Sequence, residues 1–344
     1  MTAALPYAHG VPPLTATLRR EPGDFQVEEL LGFEASGEGE HAFLLIEKSG
    51  ANTEWVARRL ADIAGVAPAA VGYAGLKDRH AVTRQAFTVQ LPGRADPDWG
   101  SADIPGVRVL AASRHQRKLK RGAHRGNRFR IRLRAVQGSR DAAEARLQAI
   151  GAHGVPNYFG EQRFGHGGRN VALAHALFAG RRMPREQRGL ALSAARSALF
   201  NALLALRVAD GSWRQPLEGE VWMLDGSHAI FGPQACDDVL AARFAGGDID
   251  PTGPLWGKGD LRTTAAVRER ELAAIAAHMD LAHGLERAGL GQERRPLRLR
   301  AADLAHAWES PDCLVAEFRL GAGAYATSVL RELCDWHAGM APDA

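Results

Sequence analysis

The chain changes texture twice, and that constrains its fold more than any single motif does. Up to Gly151 it reads as short strands with few helices. A helix-rich block follows, and after Pro296 the strand pattern returns. Strands, helices and strands again point to an α+β domain carrying a second domain as an insertion. A length of 344 residues suits two domains.

Local signals fill in this outline. Residues 24–31 and 41–48 read as strands around the acidic turn EASGEGE. Asn52-Thr53 marks a helix start, and Trp55, Val56, Leu60, Ile63 and Ala64 recur at helical spacing before Gly65 stops the run. Gly72 and Gly75 frame the passage GYAGLKDRH, which leads into a strand over 81–91. Strands over 107–112 and 128–135 flank a basic window. Ser139 opens a helix with Ala143, Leu147 and Ile150 on one face, and Gly151, Gly154 and Pro156 end it. The middle block predicts helices over 170–179 and 190–208, a hairpin turning at Asp225-Gly226, a loop over 250–259 and one long helix over 266–288. Strands then precede a final helix over 327–336.

Charge is concentrated. Residues 113–134 hold ten Lys/Arg and no acid, whereas the rest of the chain has 33 basic and 39 acidic residues. A solvated face is the ordinary fate of such a run. Two features favour nucleic acid instead. The run contains no acid to pair with, and it carries Gly122, Gly126, Asn127 and Phe129, suited to close approach, base-edge hydrogen bonding and stacking. In an extended RIRLR segment, Arg128, Arg130, Arg132 and Arg134 share one face and Phe129, Ile131 and Leu133 the other.

Several classes are disfavoured. No run of about 18 apolar residues exists, which argues against a membrane span. The stretch MTAALPYAHGVPPL lacks the pattern of a secretory signal. Three scattered cysteines fit neither a disulfide framework nor a CxxC site, so a cytoplasmic setting is expected. The 13 histidines lack ligand spacing, and no metal is expected. GAGAYA, from Gly321, imitates a dinucleotide fingerprint, but too little chain follows for the second strand and its acid.

Two further motifs are ambiguous from the residues alone. GYAGLKDRHAVTRQAF offers one carboxylate, Asp78, between Lys77 and Arg79, with no second acid beside it; a surface loop has the same appearance. PNYFGEQRFGHGG could face a nucleotide, although Tyr158 and Phe159 read better as core anchors.

Taken together in this order and spacing, EPGDFQVEEL, GYAGLKDRHAVTRQAF, VPNYFGEQRFG, LSAARSALFN and FRLGAGAYATSVLREL resemble the pseudouridine synthase D family of transfer-RNA modifying enzymes. The resemblance runs from about Leu18 to Leu333 and is weakest over 207–295. It implies a V-shaped protein. A pseudouridine-synthase catalytic domain with a mixed, largely antiparallel sheet would comprise 1–152 and 300–344. An inserted α/β family-specific domain would comprise 153–299. It also implies isomerisation of uridine 13 in the D-arm of transfer RNA, without cofactor or metal, by a chain expected to be monomeric with no protein partner.

By the same resemblance Asp78 is the nucleophile, Phe25 contacts a flipped-out base, and Asn127 reads its edge. Tyr325 stands where the family usually has Phe. A nucleophilic carboxylate must be ionised and so calls for a cation, and Arg19, before the Asp-Phe motif, is the preferred partner. Arg128 and Arg130 are expected to contact phosphate. An RNA-binding protein or chaperone without chemistry is the alternative, and it would tolerate the loss of the Asp78 charge.

Overall fold

The computed structural model describes residues 5–339 apart from 102 and 228. Met1–Ala4 of the N-terminal stretch, His228 of the expected hairpin and residues 340–344 at the expected domain limit lie outside the described residues.

The first third of the chain is built on strands. These are β1 (Leu14–Leu18), β2 (Phe25–Leu30), β3 (His41–Lys48), β4 (Val71–Tyr73), β5 (Val82–Gln90), β6 (Val107–His115) and β7 (Gly126–Gly138). Two helices accompany them, α1 (Thr53–Ala64) and α2 (Arg140–His153). The middle block holds β8 (Val155–Pro156), α3 (Glu161–Phe164), α4 (Arg169–Phe178), α5 (Arg185–Ala209), β9 (Trp222–Leu224), β10 (Ile230–Phe231), α6 (Asp238–Gly246), β11 (Ile249–Leu255), α7 (Ala265–Ala276), α8 (Met279–Arg287), β12 (Glu293–Pro296) and β13 (Arg298–Leu299). β14 (Ala302–Ser310), β15 (Cys313–Gly321), α9 (Ala326–Leu333) and β16 (Cys334–Ala338) complete the chain. The architecture is α+β, as expected.

The chain divides into two compact units. One comprises Pro13–Glu144, Ala301–Ala324 and Cys334–Ala344; the other comprises Met1–Pro12, Ala145–Arg300 and Tyr325–Leu333.

The first unit is organised by a 10-stranded mixed sheet whose main path is β14-β15-β7-β2-β5-β3-β6. Most pairs are antiparallel; β2 with β5 and β1 with β16 are parallel. The long strand β7 pairs with β15 along one edge and with β2 and then β1 along the other. Its alternation follows the sequence pattern. Phe129, Ile131 and Leu133 are buried, with Phe129 stacked on Phe318 and meeting Phe25 edge-on. Against β3 and β5, α1 contributes Val56, Leu60 and Ala64 to a core with Leu44, Ile46, Phe87 and Val89. Ile63, expected on that face, is turned outward. Gly65 ends α1 at φ 60°, a left-handed conformation that suits glycine.

In the second unit β10-β9-β11-β12 form a four-stranded sheet. One core there gathers Leu199, Leu203, Trp256, Ile275 and Leu285, and a second gathers Tyr158, Phe159, Phe200, Leu204 and Trp213. The motif residues Tyr158 and Phe159 are thus core anchors. Asn201 of α5 fastens them by accepting the Phe159 N–H and donating to its carbonyl, both at 2.9 Å.

Four expectations need correction. The loop over 250–259 is largely strand β11, buried between β9 and β12. Its prolines suggested a loop, but neighbouring strands still reach it, as Leu297 N–H donates to Pro251 O. The long helix over 266–288 breaks into α7 and α8, and His278 N–H closes back on Ile275 O between them. The final helix stops at Leu333 because Cys334–Ala338 instead extends the sheet along β1. Finally, α5 is long and apolar enough by length and composition to cross a membrane. Ser193, Arg196, Ser197 and Asn201 interrupt the apolar run and hid that average in the sequence. Half of the apolar window is buried in the protein.

Two glycines test the packing with opposite signs. A Cβ on Gly253 would lie 2.9 Å from Leu203 and 3.0 Å from Leu297, whereas one on Gly189, within α5, would meet nothing within 4 Å. Gly253→Leu should lower the urea midpoint by about 1–3 kcal/mol of stability. Gly189→Ala should raise it by roughly 0.5–1 kcal/mol.

Candidate active site

The Asp-Phe motif at the start of β2 divides its two side chains between opposite faces of the sheet. Asp24 is fully buried; it accepts the Glu21 N–H at 3.0 Å and pairs with Arg134 at 2.8 Å. Phe25 turns to the other face with Val27 and Glu29. Asn127 and Phe129 of β7 share that face by strand alternation, and Asn127 is in register with Glu29.

Arg19 reaches the same face. It follows β1 with φ 60°, a left-handed conformation costing a residue with a side chain on the order of 1–3 kcal/mol. The geometry it gains is specific. Its guanidinium lies 4.3 Å from the Phe25 ring centroid, and its Nη2 is 2.7 Å from Asp78 Oδ2. The pair is partly shielded, with side chains 18% and 28% exposed. Asp78 Oδ1 accepts the His80 N–H at 2.9 Å. Both carboxylate oxygens are therefore held.

The backbone carrying Asp78 is anchored from several directions. Thr53 Oγ1 accepts the Lys77 N–H at 3.0 Å and donates to Gln85, whose amide in turn donates to Gly75 O. Asn52 marks the start of α1 in sequence, yet its side chain makes no cap bond; Thr53 is the functional side chain of that turn. Lys77 points away from Asp78 and forms a buried pair with Glu29 at 2.5 Å. Glu29 also accepts the Ala86 N–H at 3.3 Å. Lys48, fully buried at the end of β3, donates through Nζ to the carbonyls of Ala51 (2.8 Å), Asp78 (3.1 Å) and Lys77 (3.4 Å). Desolvation lowers its pKa to about 8, partly offset by the Asp78 carboxylate.

Two polar atoms near this centre have no partner among the described residues, Arg19 Nε and Asn127 Oδ1. His124 Nδ1 is likewise buried and unpartnered. Its Cε1 lies 3.3 Å, and Lys77 Nζ 3.2 Å, from where a Gly75 Cβ would sit. Gly75 thus leaves room for both groups. Burial lowers the His124 pKa, and Lys77 adds to that.

The structure therefore brings Asp78, Arg19 and Phe25 together and sets Asn127 on the same sheet face. Tyr325 belongs to the other unit, where its hydroxyl accepts from Arg163 Nη2 at 2.7 Å and its ring packs near Phe159. Arg128 and Arg130 lie on the opposite face from Phe25. The reading that the basic run lacks acids to pair with is corrected. Neighbouring strands supply them: Glu28 meets Arg128 at 3.3 Å, Glu317 meets Arg130 at 2.9 Å, and Glu309 binds both Arg130 and Arg132. Those acids are distant in sequence and adjacent in the sheet.

Sequence reasoning missed Lys48, Glu29 and His124, and had Thr53 only as part of a helix-start signal. The signal available for Lys48 was its place at the end of a strand whose centre, AFLLI, is apolar. Among the described residues no cluster of three or more His, Cys, Asp or Glu is arranged to hold a metal ion.

The buried Lys77–Glu29 pair gives a direct test of the anchoring. Lys77→Met should cost about 3–5 kcal/mol in urea denaturation, because it leaves Glu29 buried and uncompensated. The double variant Lys77→Met/Glu29→Gln should recover part of that loss.

Comparison with known proteins agrees along nearly the whole chain. The model of the family tRNA pseudouridine synthase D matches residues 3–180 and 169–333. A tRNA pseudouridine synthase D from Xanthomonas axonopodis pv. citri is 52% identical over 351 residues, covering 97% of this chain and 95% of the relative. One from Methylococcus capsulatus is 51% identical over 341 residues, covering 98% and 96%. The crystal structure of a candidate tRNA pseudouridine synthase D from Methanosarcina mazei superimposes with a TM-score of 0.76 over 95% of both chains, at 20% identity.

Proposed function

Because the chain belongs to the tRNA pseudouridine synthase D family, we propose that it isomerises uridine 13 in the D-arm of transfer RNA to pseudouridine, with Asp78 as the nucleophile. The observation that carries this reading is the Asp78 carboxylate itself. It is paired with a strained Arg19, accepts a backbone N–H, and sits on an anchored loop beside an aromatic ring.

The reaction is balanced within the nucleotide. The bond from uracil N1 to C1′ breaks, the base turns, C5 bonds to C1′, and the C5 proton is released as N1 regains one. No redox change occurs and no co-substrate is required. Asp78 forms the covalent intermediate that divides this exchange into two steps. Arg19 pairs with the carboxylate and aims it. The base must leave the stack to reach Asp78. Phe25 offers a ring against it, and Asn127 Oδ1 is an acceptor for the uracil N3–H. The Tyr325 hydroxyl, in the other unit, is occupied by Arg163. The unit containing Asp78 is the catalytic one, and the cytoplasm, where transfer RNA is processed, is its setting.

For Arg128 and Arg130 the paired geometry sets a limit. A phosphate contact competes with Glu28 at Arg128 and with Glu317 and Glu309 at Arg130, so their net contribution to RNA affinity is smaller than two free cations would give. Replacing both with Gln should flatten the dependence of log affinity on log salt by less than the roughly 0.7 per contact expected for single strands.

Release of tritium from transfer RNA labelled at uridine C5 tests the chemistry. Wild type should release it and Asp78→Asn should not, while RNA binding is retained. Equal release by both would remove Asp78 from the mechanism. Binding without release by either would favour an RNA-binding protein. Arg19→Ala should reduce turnover far more than RNA affinity, and the reverse pattern would place Arg19 in RNA binding alone.

A further inference from the structure

We propose that Lys48 is a positioning residue for Asp78: its buried ammonium holds the backbone that carries the carboxylate, and turnover falls when that ammonium loses its proton or is removed. The inference rests on the reading of Asp78 as the nucleophile.

The geometry is unusual for a lysine. Lys48 is fully buried, yet no carboxylate is within ion-pair distance among the described residues; its three donors meet carbonyl oxygens. An ammonium has three N–H groups and no acceptor, so its donor capacity is matched. Two of the three carbonyls are consecutive, those of Lys77 and Asp78, and the third, Ala51, leads into α1. One side chain thus ties the end of β3, the entry to α1 and the nucleophile's own peptide. Nothing about packing alone requires a charge here. A Met would fill similar space and leave three carbonyls short of a donor.

The surroundings define how the hold responds to pH. The charged groups acting on the ammonium are the Asp78 carboxylate and the Lys77 ammonium, both from the same loop. Thr83 of β5 and Val107 of β6 stand in register with Lys48 and bring no charge. Burial lowers the pKa from 10.5 to about 8. Below that value the ammonium is present and all three carbonyls are held. Above it the neutral amine has only two N–H groups, and the loop loses part of its anchor. For stability the sign is opposite. The unfolded chain keeps its proton up to about 10.5, so this group's desolvation penalty is relieved as pH rises from about 8 to 10.5. A hold that improves turnover while costing stability marks a functional role for the charge.

The test compares single-turnover pseudouridine formation from pH 6 to 10 in wild type, Lys48→Met and Thr53→Val. Thr53→Val removes the anchor on the Lys77 N–H without altering a titratable group. Wild type and Thr53→Val should both lose rate above about pH 8. Lys48→Met should be roughly 10- to 100-fold slower at pH 7, the scale of a misaimed nucleophile, with RNA affinity within about threefold and no fall near pH 8. Titration of uracil N3 in the substrate would appear in all three proteins and so is separated. A wild-type rate in Lys48→Met, or the same alkaline fall in it, overturns the proposal. If Lys48→Met does not fold, Lys48→Arg takes its place, since a guanidinium stays charged throughout. A retained fall near pH 8 in Lys48→Arg overturns the proposal, and its loss supports it. Asp78→Asn separates the two readings. Activity in that variant removes the nucleophile assignment and this inference with it, whereas an inactive Asp78→Asn beside an unaffected Lys48→Met removes this inference alone.

Discussion

The site depends on a backbone constraint before it depends on any side chain. The peptide carrying Asp78 is held at Lys77 N–H by Thr53, at two consecutive carbonyls by Lys48, and through the Lys77 side chain by Glu29. These partners come from β3, the first turn of α1 and β2. A loop between β4 and β5 would otherwise sample many conformations, and a carboxylate on it would spend much of its time misaimed. Anchoring from three elements removes that freedom while the protein folds, so it need not be removed again in each turnover. Lys77 and Lys48 therefore have structural tasks, and Arg19 is paired with the carboxylate.

The long strand β7 shows how one alternation serves two purposes. Its odd-numbered residues Asn127, Phe129 and Ile131 join the Phe25 face, and its arginines occupy the reverse. A stripe of four arginines at two-residue spacing would repel itself strongly. Instead Glu28, Glu309, Glu317 and Asp24 interleave with it across strand boundaries. Most of these pairs are exposed and individually worth little. Their collective effect is on specificity. The stripe remains polar and ordered without presenting a bare cationic ribbon, and a phosphate has to compete for each guanidinium.

How much could be read in advance follows the range of the interaction. Strands β2, β3, β14 and β15 and helix α1 were legible because alternation, helical spacing and Gly65 are local signals. Asp78, Arg19 and Phe25 were legible only through family resemblance; their contacts join residues up to 59 positions apart. Lys48 was invisible for a different reason. A lysine at the end of a strand ordinarily reaches water, and only the fold reveals that this one is enclosed beneath the Asp78 loop. The acids that neutralise the arginine stripe were hidden in the same way, since cross-strand neighbours leave no mark on a window of sequence. The errors at 250–255 and 334–336 share that cause. In both segments a waiting sheet edge outweighed the local preference, which was proline-rich in one and helical in the other.

Local conflict gathers around Asp78. Arg19 has a left-handed backbone without being glycine, Lys48 is a desolvated cation, and Arg19 Nε and Asn127 Oδ1 are buried without partners among the described residues. Each would be removed by selection for stability alone: glycine relieves the first, an apolar side chain the second, and water-exposed positions the others. In the second unit buried Arg207, Arg294 and Arg298 each have a close acidic partner, Glu220, Glu271 and Asp250. Both regions bury charge. In the second unit those three arginines are neutralised within the fold. Around Asp78 donors and acceptors are left open, and a flipped uracil, with one N3–H donor between two carbonyl acceptors, has the complementary pattern.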